Sequence, residues 1–509
     1  MATPIRSLNI VAPGFLGLNT NQKSIEDTGW AQAAENCVID GSGRLAARNG
    51  WNGLTTSPIA GTPDIEAIYE YLDGGGNSVI ISAAAGKLYK GTTTLTDITG
   101  TLTPADDNWK FQNFNGKVVG FHDGETPIVY NGSGNFADIS FTYPTTGTNT
   151  FSGVCLSAFG RIWSTDSSKT VLKYSDLLIE TSWTDDAGAN GDGTGSAGII
   201  DLKSVWVYGM DEIVALEEFN GFLLIFGKKH IVVYAGPTDP SNMAIQDTVE
   251  GTGCIARDST QNIGTDLLFL SDSGVRSFRK TIQEKSMPLN DISKNIRGDL
   301  RSLVNAENKD LIRSVYHEPD GFYLLNLPTS GITYVFDIRQ PLQDGSFRVT
   351  TWNNINPKAM VSASTGTLYH GQAGIVADYS TYQDNGTNFT MTYYSPWITM
   401  GTDKIKIPKK LAAIVSGGNG YSLDMQIAYN YSSAFRTSTV SITTITNPAE
   451  WGSSEWGIGE WSGGTNDAEV KAAMFGSGNT VQIGLTTAIS GNSISFQRLE
   501  LYLKAGRTN

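Results

Sequence analysis

The sequence predicts an all-β protein: a seven-bladed β-propeller-like domain with an added β-sandwich domain and an N-terminal arm. Three observations carry that prediction. A short pattern recurs seven times between about Gly76 and Tyr379. The composition, with 57 Gly, 20 Tyr, 20 Phe and only 17% charged residues among 509, is that of a turn-dense chain. After about Thr387 the period gives way to longer runs that alternate apolar and polar residues.

Each copy of the pattern is a turn ending in Gly, an apolar run, a short polar turn, and a second apolar run ending in an aromatic. The clearest copies are NGKVVGFHDGETPIVY (Asn115 to Tyr130), FGRIWSTDSSKTVLKY (Phe159 to Tyr174), NGFLLIFGKKHIVVY (Asn220 to Tyr234), IGTDLLFLSDSGVRSF (Ile263 to Phe278) and DGFYLLNLPTSGITY (Asp320 to Tyr334). Weaker copies flank them at Gly75 to Tyr89 and Thr365 to Tyr379. With Gly76, Gly116, Gly160, Gly221, Gly264, Gly321 and Gly366 as anchors, the closing aromatic falls 13 or 14 residues later each time, and successive anchors lie 40 to 61 residues apart. A period of this size with paired strands per unit is the signature of propeller blades, each motif being one blade's central hairpin.

Composition also excludes function classes. No run of 18 apolar residues exists, so no transmembrane helix is expected, and the opening MATPIRSLNIVAPG lacks the apolar core of a secretory signal. The three cysteines, Cys37, Cys155 and Cys254, form no CxxC pair, which argues against a disulfide framework or a Cys-based zinc site and for synthesis in a reducing cytosol. A net charge of −14 argues against gripping nucleic acid through its phosphates. It leaves open a protein past which DNA slides.

In chain order, residues 1–57 read as a folded arm. Phe15, Leu18, Trp30, Val38, Ile39 and Trp51 need burial, a helical turn is expected around Trp30 to Glu35, and Asp40 to Gly43 marks a tight turn. Residues 58–386 hold the propeller and two insertions. One is the polar stretch Thr184 to Gly198; the other, Met287 to Leu311, predicts one amphipathic helix over about Asp291 to Val304, capped by Asn290 or Asp291, with Ile292, Ile296, Leu300 and Leu303 on one face. Residues 387–509 offer seven strand candidates, which suits a β-sandwich platform.

The candidate sites are few. His122, His230, His317 and His370 fall in separate repeats without ligand spacing and read as surface or turn histidines. Asp185, Asp186, Asn190 and Asp192 have the oxygen density of a calcium loop but depart from its order and lack the closing Glu, so a solvated insertion is favoured. No Asp or Glu recurs at one blade position, and Asp123, Asp272 and Asp320 sit in hairpin turns, so no catalytic group is assigned. Trp451, Trp456 and Trp461 are spaced by five, which fits neither a helix face nor a strand; they form a loop that either contacts a partner or folds into a seam of the sandwich, the second being favoured.

The opening GFLGLNT, followed by AQAAENCVIDGSGRLAARNGW, resembles the start of the tail nozzle (tail hub, or packaged-DNA stabilisation) proteins of short-tailed bacteriophages, through Asn36, Gly43 to Leu45 and Arg48 to Gly50. The segments YYSPWITMG and KIPKKLAAIVSG and the final LELYLKAG resemble the C-terminal part of the same family, and a helix after a blade is common in it. The resemblance implies a structural virion protein of the tail with no cofactor and no enzymatic activity. Six copies would form a ring below the adaptor and portal, beside tail fibres or tailspikes, with a channel through which viral double-stranded DNA passes without sequence-specific binding. Trp451, Trp456, Trp461, Asp185, Asp186 and Asp192 are then candidates for gate or partner contacts. The rival readings are a carbohydrate-binding or carbohydrate-cleaving propeller that acts as a tail-associated receptor binder, and a capsid or fibre-attachment protein of the same virion.

Overall fold

The structure, a computed structural model, describes residues 6–11, 15–21, 28–141, 151–183, 197–206, 211–284, 292–443 and 467–506. Seven small antiparallel sheets follow one another along the chain. Blade 1 is Ala67–Leu72, Ser78–Ala84, Lys87–Lys90 and Thr96–Asp97 in sequential order, and blades 2, 3 and 4 repeat this four-stranded meander from Lys110, Phe151 and Ile213. Blade 5 has three strands, Gln261–Asn262, Leu267–Ser271 and Gly274–Ser277. Blade 6 runs from Arg313 to Trp352, and blade 7 is Met360–Ser362, Leu368–Gln372 and Ile375–Tyr379. Except between blades 4 and 5, the first strands of neighbouring blades lie side by side, and that of blade 7 reaches that of blade 1.

All seven sequence motifs are the second and third strands of a blade. The anchor glycines share one conformation, with φ between +64° and +82°, which a side chain resists. At Asn115-Gly116 both residues are left-handed, as a two-residue hairpin joining Phe114 to Lys117 requires. The strands read as apolar runs because both faces of a blade are covered. In Lys117–Phe121, Val118 enters the core shared with blade 1, while Val119 and Phe121 enter the core shared with blade 3. In Phe222–Gly227, Leu223 and Ile225 face blade 3 while Leu224 and Phe226 face blade 5.

The last blade is completed by the arm: Trp51–Gly53 pairs antiparallel with Ile375–Tyr379 as its outermost strand. Closing the circle with a strand from the start of the chain joins both ends of the repeat by a hydrogen-bonded ladder.

The C-terminal part forms two stacked sheets. One orders Asp467–Ala473, Lys406–Gly417, Ile494–Ala505, Leu45–Ala47 and Cys37–Ile39, with Arg6–Val11 also on Ile494–Ala505. The other orders Phe389–Tyr394, Val481–Ile489, Ser422–Tyr429 and Arg436–Ser441. Leu411, Ala413, Val415, Leu499 and Leu501 of the first meet Met391, Tyr393, Leu423, Met425 and Leu485 of the second in one core. Ala33–Glu35 lies between blade 6 and this second sheet. It pairs in parallel with Thr351 and antiparallel with Thr392, Tyr393 and Tyr394, which merges blade and sandwich into one nine-stranded sheet.

Two expectations are corrected. Trp30 to Glu35 is not a helical turn but two short strands, Trp30–Ala31 and Ala33–Glu35; Ala31 and Ala34 are wholly buried, and their small side chains let the backbone pair between other strands, which overrides alanine's helix propensity. The expected helix over Asp291 to Val304 is a 3₁₀ turn, Lys294–Ile296, followed by a helix over Arg297–Ala306. Its N-terminal amide at Gly298 donates to Asn21 Oδ1 of the arm, so the capping group is distant in sequence, while Asn290 and Asp291 lie outside the described residues. A second helix, Phe278–Glu284, follows blade 5 directly.

Candidate functional site

Among the described residues, two interior clusters of polar side chains join parts of the chain that are far apart in sequence. The first is a knot that ties the arm to the rest of the molecule. Asn36 adopts φ +54° and is 1% exposed, and its side chain works in both senses: Oδ1 accepts from Arg48 Nε at 2.9 Å and from the Asn353 amide at 3.1 Å, while Nδ2 donates to Thr390 O at 2.7 Å. Arg48, fully buried, spends all five N–H groups. Besides Asn36 it donates to Asn49 O (2.8 Å), Asn353 O (3.2 Å) and both carboxylate oxygens of Asp384 (2.8 Å each), and its guanidinium lies 3.9 Å over the Phe389 ring. Gly50 completes the knot by close approach, since a Cβ there would sit 2.0 Å from Gln383 O. Asn353 follows the last strand of blade 6, Asp384 follows blade 7, and Phe389 and Thr390 open the sandwich. One side chain thus holds three parts of the chain.

The second place is the propeller axis. Lys110 opens the first strand of blade 2, Arg313 opens that of blade 6, and Arg257-Asp258 lies in the loop before that of blade 5. The four converge: Asp258 accepts from Lys110 Nζ at 2.9 Å and from Arg257 Nη2 at 2.8 Å, and Arg313 Nη1 lies 3.2 Å from it. Arg257 and Arg313 also both donate to Asn108 Oδ1 at 2.6 Å. Burial alone would push the Asp258 carboxyl up; Arg257, Lys110 and Arg313 reverse that and hold it well below the usual carboxylate range. Glu217, on the first strand of blade 4, shows the opposite balance: burial pushes its carboxyl up despite the pull of Lys110 and a 2.6 Å bond from Thr260 Oγ1. Beside the cluster, the first strands of blades 1, 2, 5, 6 and 7 line an open cavity of about 260 Å³.

The axial cluster escapes a reading centred on the hairpins. Its members come from blades 2, 5 and 6 and form no local motif; the available signal was Lys110 and Arg313 at equivalent positions once the repeat is extended back to the first strands. The histidines correct the surface reading. His317 and His370 are buried, and every histidine lies against an aromatic ring: His122 on Trp109, His230 on Trp206, His317 on Tyr379 and His370 on Trp51. Among the described residues no group of three His, Cys, Asp or Glu is placed to hold a metal ion. The three cysteines are buried and unpaired, and burial pushes the thiols up, to about 12 at Cys155 and about 11 at Cys254. Trp451, Trp456, Trp461, Asp185, Asp186, Asn190 and Asp192 lie outside the described residues.

No protein-family model and no curated protein matches the sequence. Among solved structures, the chain is similar to the extracellular domain of the one-component system BT4673 from B. thetaiotaomicron, at 9% identity and a TM-score of 0.42 over 79% of this chain and 57% of that one. It is similar to streptogramin B lyase at 9% identity and a TM-score of 0.37, over 65% of this chain and 97% of that one. It is likewise similar to the WD40 domain of Neurospora crassa Pan2 at 9% identity and a TM-score of 0.37, over 65% and 96%. This chain spans little more than half the length of the first. Likenesses this distant concern the propeller fold, and function has to be argued from the chain's own residues.

Proposed function

We propose that the chain is a subunit of a phage tail nozzle: a structural virion protein, six copies of which close a ring that continues the DNA channel below the portal and adaptor, retains the packaged genome and releases it at infection. The observation that carries this reading is where the nozzle-like residues of the arm fall. Asn36, Arg48 and Gly50, on which the sequence resemblance rests, are the residues that tie arm, propeller and sandwich together.

The physical argument is one of stiffness. Domains joined by a linker move against each other unless their interface is extensive. Here a continuous nine-stranded sheet and a fully hydrogen-bonded buried arginine replace the linker, so the chain acts as one stave. Identical staves close a ring through heterologous contacts, one patch meeting a different patch on the next copy. Each copy brings a formal charge of −14, and an acidic channel wall repels phosphates, so DNA passes without adhering. Trp451, Trp456, Trp461, Asp185, Asp186 and Asp192 are the gate or partner contacts proposed on sequence grounds. The test is location: gold-labelled antibody against the chain marks the tail of intact particles, at the adaptor, if the reading holds. Label on the capsid shell, or on fibre tips alone, overturns it.

A further inference from the structure

The four histidines differ in one respect. His230 Nδ1 lies 2.9 Å from Asp211, His317 Nε2 3.5 Å from Asp320 and His122 Nε2 3.8 Å from Asp106, whereas neither ring nitrogen of His370 has a partner among the described residues. His370 is 1% exposed and sits in the seam between blades 6 and 7. Met360, directly opposite it, and Leu368, two residues before it, pack in one cluster with Val315, Phe322 and Trp352 of blade 6. Trp51 covers this seam. It packs against the same cluster, stands at 79° to the His370 ring with centroids 5.8 Å apart, and belongs to the three-residue strand that closes blade 7. Its own indole N–H is buried without a partner among the described residues. Closing the seam therefore leaves three polar atoms unsatisfied at one contact, Trp51 Nε1 and both His370 nitrogens, and water satisfies them when it opens.

The surrounding charges make a proton on His370 costly while the seam is closed. Arg48 of the arm is committed to Asp384, and its charge opposes a second cation nearby. His317 and Asp320 of blade 6 are paired with each other, and His317 Nδ1 lies 3.3 Å from Ser362 Oγ. Tyr379, on the neighbouring strand, accepts from the Asn49 N–H at 3.0 Å. Asp378 projects from the opposite face, because it stands across from Tyr369 while Ala377 stands across from His370. No carboxylate is thus placed to pair with a protonated His370, and burial lowers it from 6.5 to about 4.

We propose that the seam between blades 6 and 7 is an acid-operated latch: proton uptake by His370 displaces Trp51 and frees the strand Trp51–Gly53 from Ile375–Tyr379, while the other blades stay paired. The latch lies within one copy and does not depend on the nozzle reading. Hydrogen exchange on the full chain at pH 7 and pH 4.5, with rates corrected for the intrinsic pH dependence of amide exchange, tests it. A ring that titrates at 6.5 in water and at about 4 in the closed seam favours the open state about 80-fold more at pH 4.5 than at neutral pH. Amides of Trp51–Gly53 and Ile375–Tyr379 therefore lose protection about 80-fold. Arg161–Asp166 of blade 3, a blade without histidine, keeps its protection. His370→Leu keeps the latch protected at pH 4.5. The blade 3 comparison is internal to the wild type, so the result does not hang on the variant folding. Latch amides that stay protected at pH 4.5, equal losses in the latch and blade 3, or an unchanged loss in His370→Leu overturns the assignment.

Discussion

Replacing Arg48 by Met removes the charge at the centre of the arm junction while keeping much of the side chain's length. The arginine is 0% and Asp384 9% exposed, so the variant leaves a carboxylate buried without its bidentate partner. Breaking a buried pair from one side costs about 3–5 kcal/mol. Loss of the cation over Phe389 adds about 1–2 kcal/mol. The expected destabilisation is thus about 4–7 kcal/mol, concentrated where the arm meets blade 6 and the sandwich. Arg48→Met combined with Asp384→Leu recovers most of it, because an apolar pair of similar volume tolerates the same site. Urea unfolding followed by tryptophan fluorescence, with limited proteolysis of the arm alongside, measures both. A loss below about 1 kcal/mol for Arg48→Met, or a double variant as costly as the two single ones added together, refutes the view that this side chain holds the three parts together.

Two further outcomes follow from the same packing. His370 is 1% exposed, its ring nitrogens have no partner among the described residues, and burial lowers it from 6.5 to about 4. The unfolded chain therefore takes up a proton that the folded chain refuses, so stability falls as pH drops from about 6.5 to about 4, by about 3 kcal/mol across that window. Urea midpoints at pH 7 and pH 4.5 should converge in His370→Leu relative to the wild type; an unchanged difference contradicts the assignment. Glycine substitutions should rank by what they meet: Gly116→Ala, at φ +72°, costs about 1 kcal/mol, whereas Gly50→Ala drives a methyl into Gln383 O and costs about 3 kcal/mol or more. Equal thermal shifts for the two would show that Gly50 is not the close approach described.

What was legible in the sequence follows from which forces are local. The seven hairpins could be read because blade strands are covered on both faces, giving apolar runs, and because their turns demand left-handed residues such as Gly116 and Gly221. The seven C-terminal strands could be read because each has one face in the shared core. Ala33–Glu35 could not, since a stretch rich in alanine becomes a strand only when Thr351 and Tyr393 offer edges to it. The start of the helix Arg297–Ala306 was misplaced for the same reason, its cap being supplied from Asn21. The axial cluster was hidden because Lys110, Arg257 and Arg313 are brought together only by closure of the circle. Arg48 belonged to a recognisable segment, yet nothing in that segment announced its partner 336 residues away.

The central claim, that this chain is one stave of a six-membered channel wall, is tested most directly by electron microscopy of the purified protein with its adaptor. The account predicts class averages with six-fold symmetry, a continuous axial channel, and propeller and sandwich in a fixed relation in every copy. Isolated monomers that fail to bind the adaptor, or a ring with no through-channel, would contradict it.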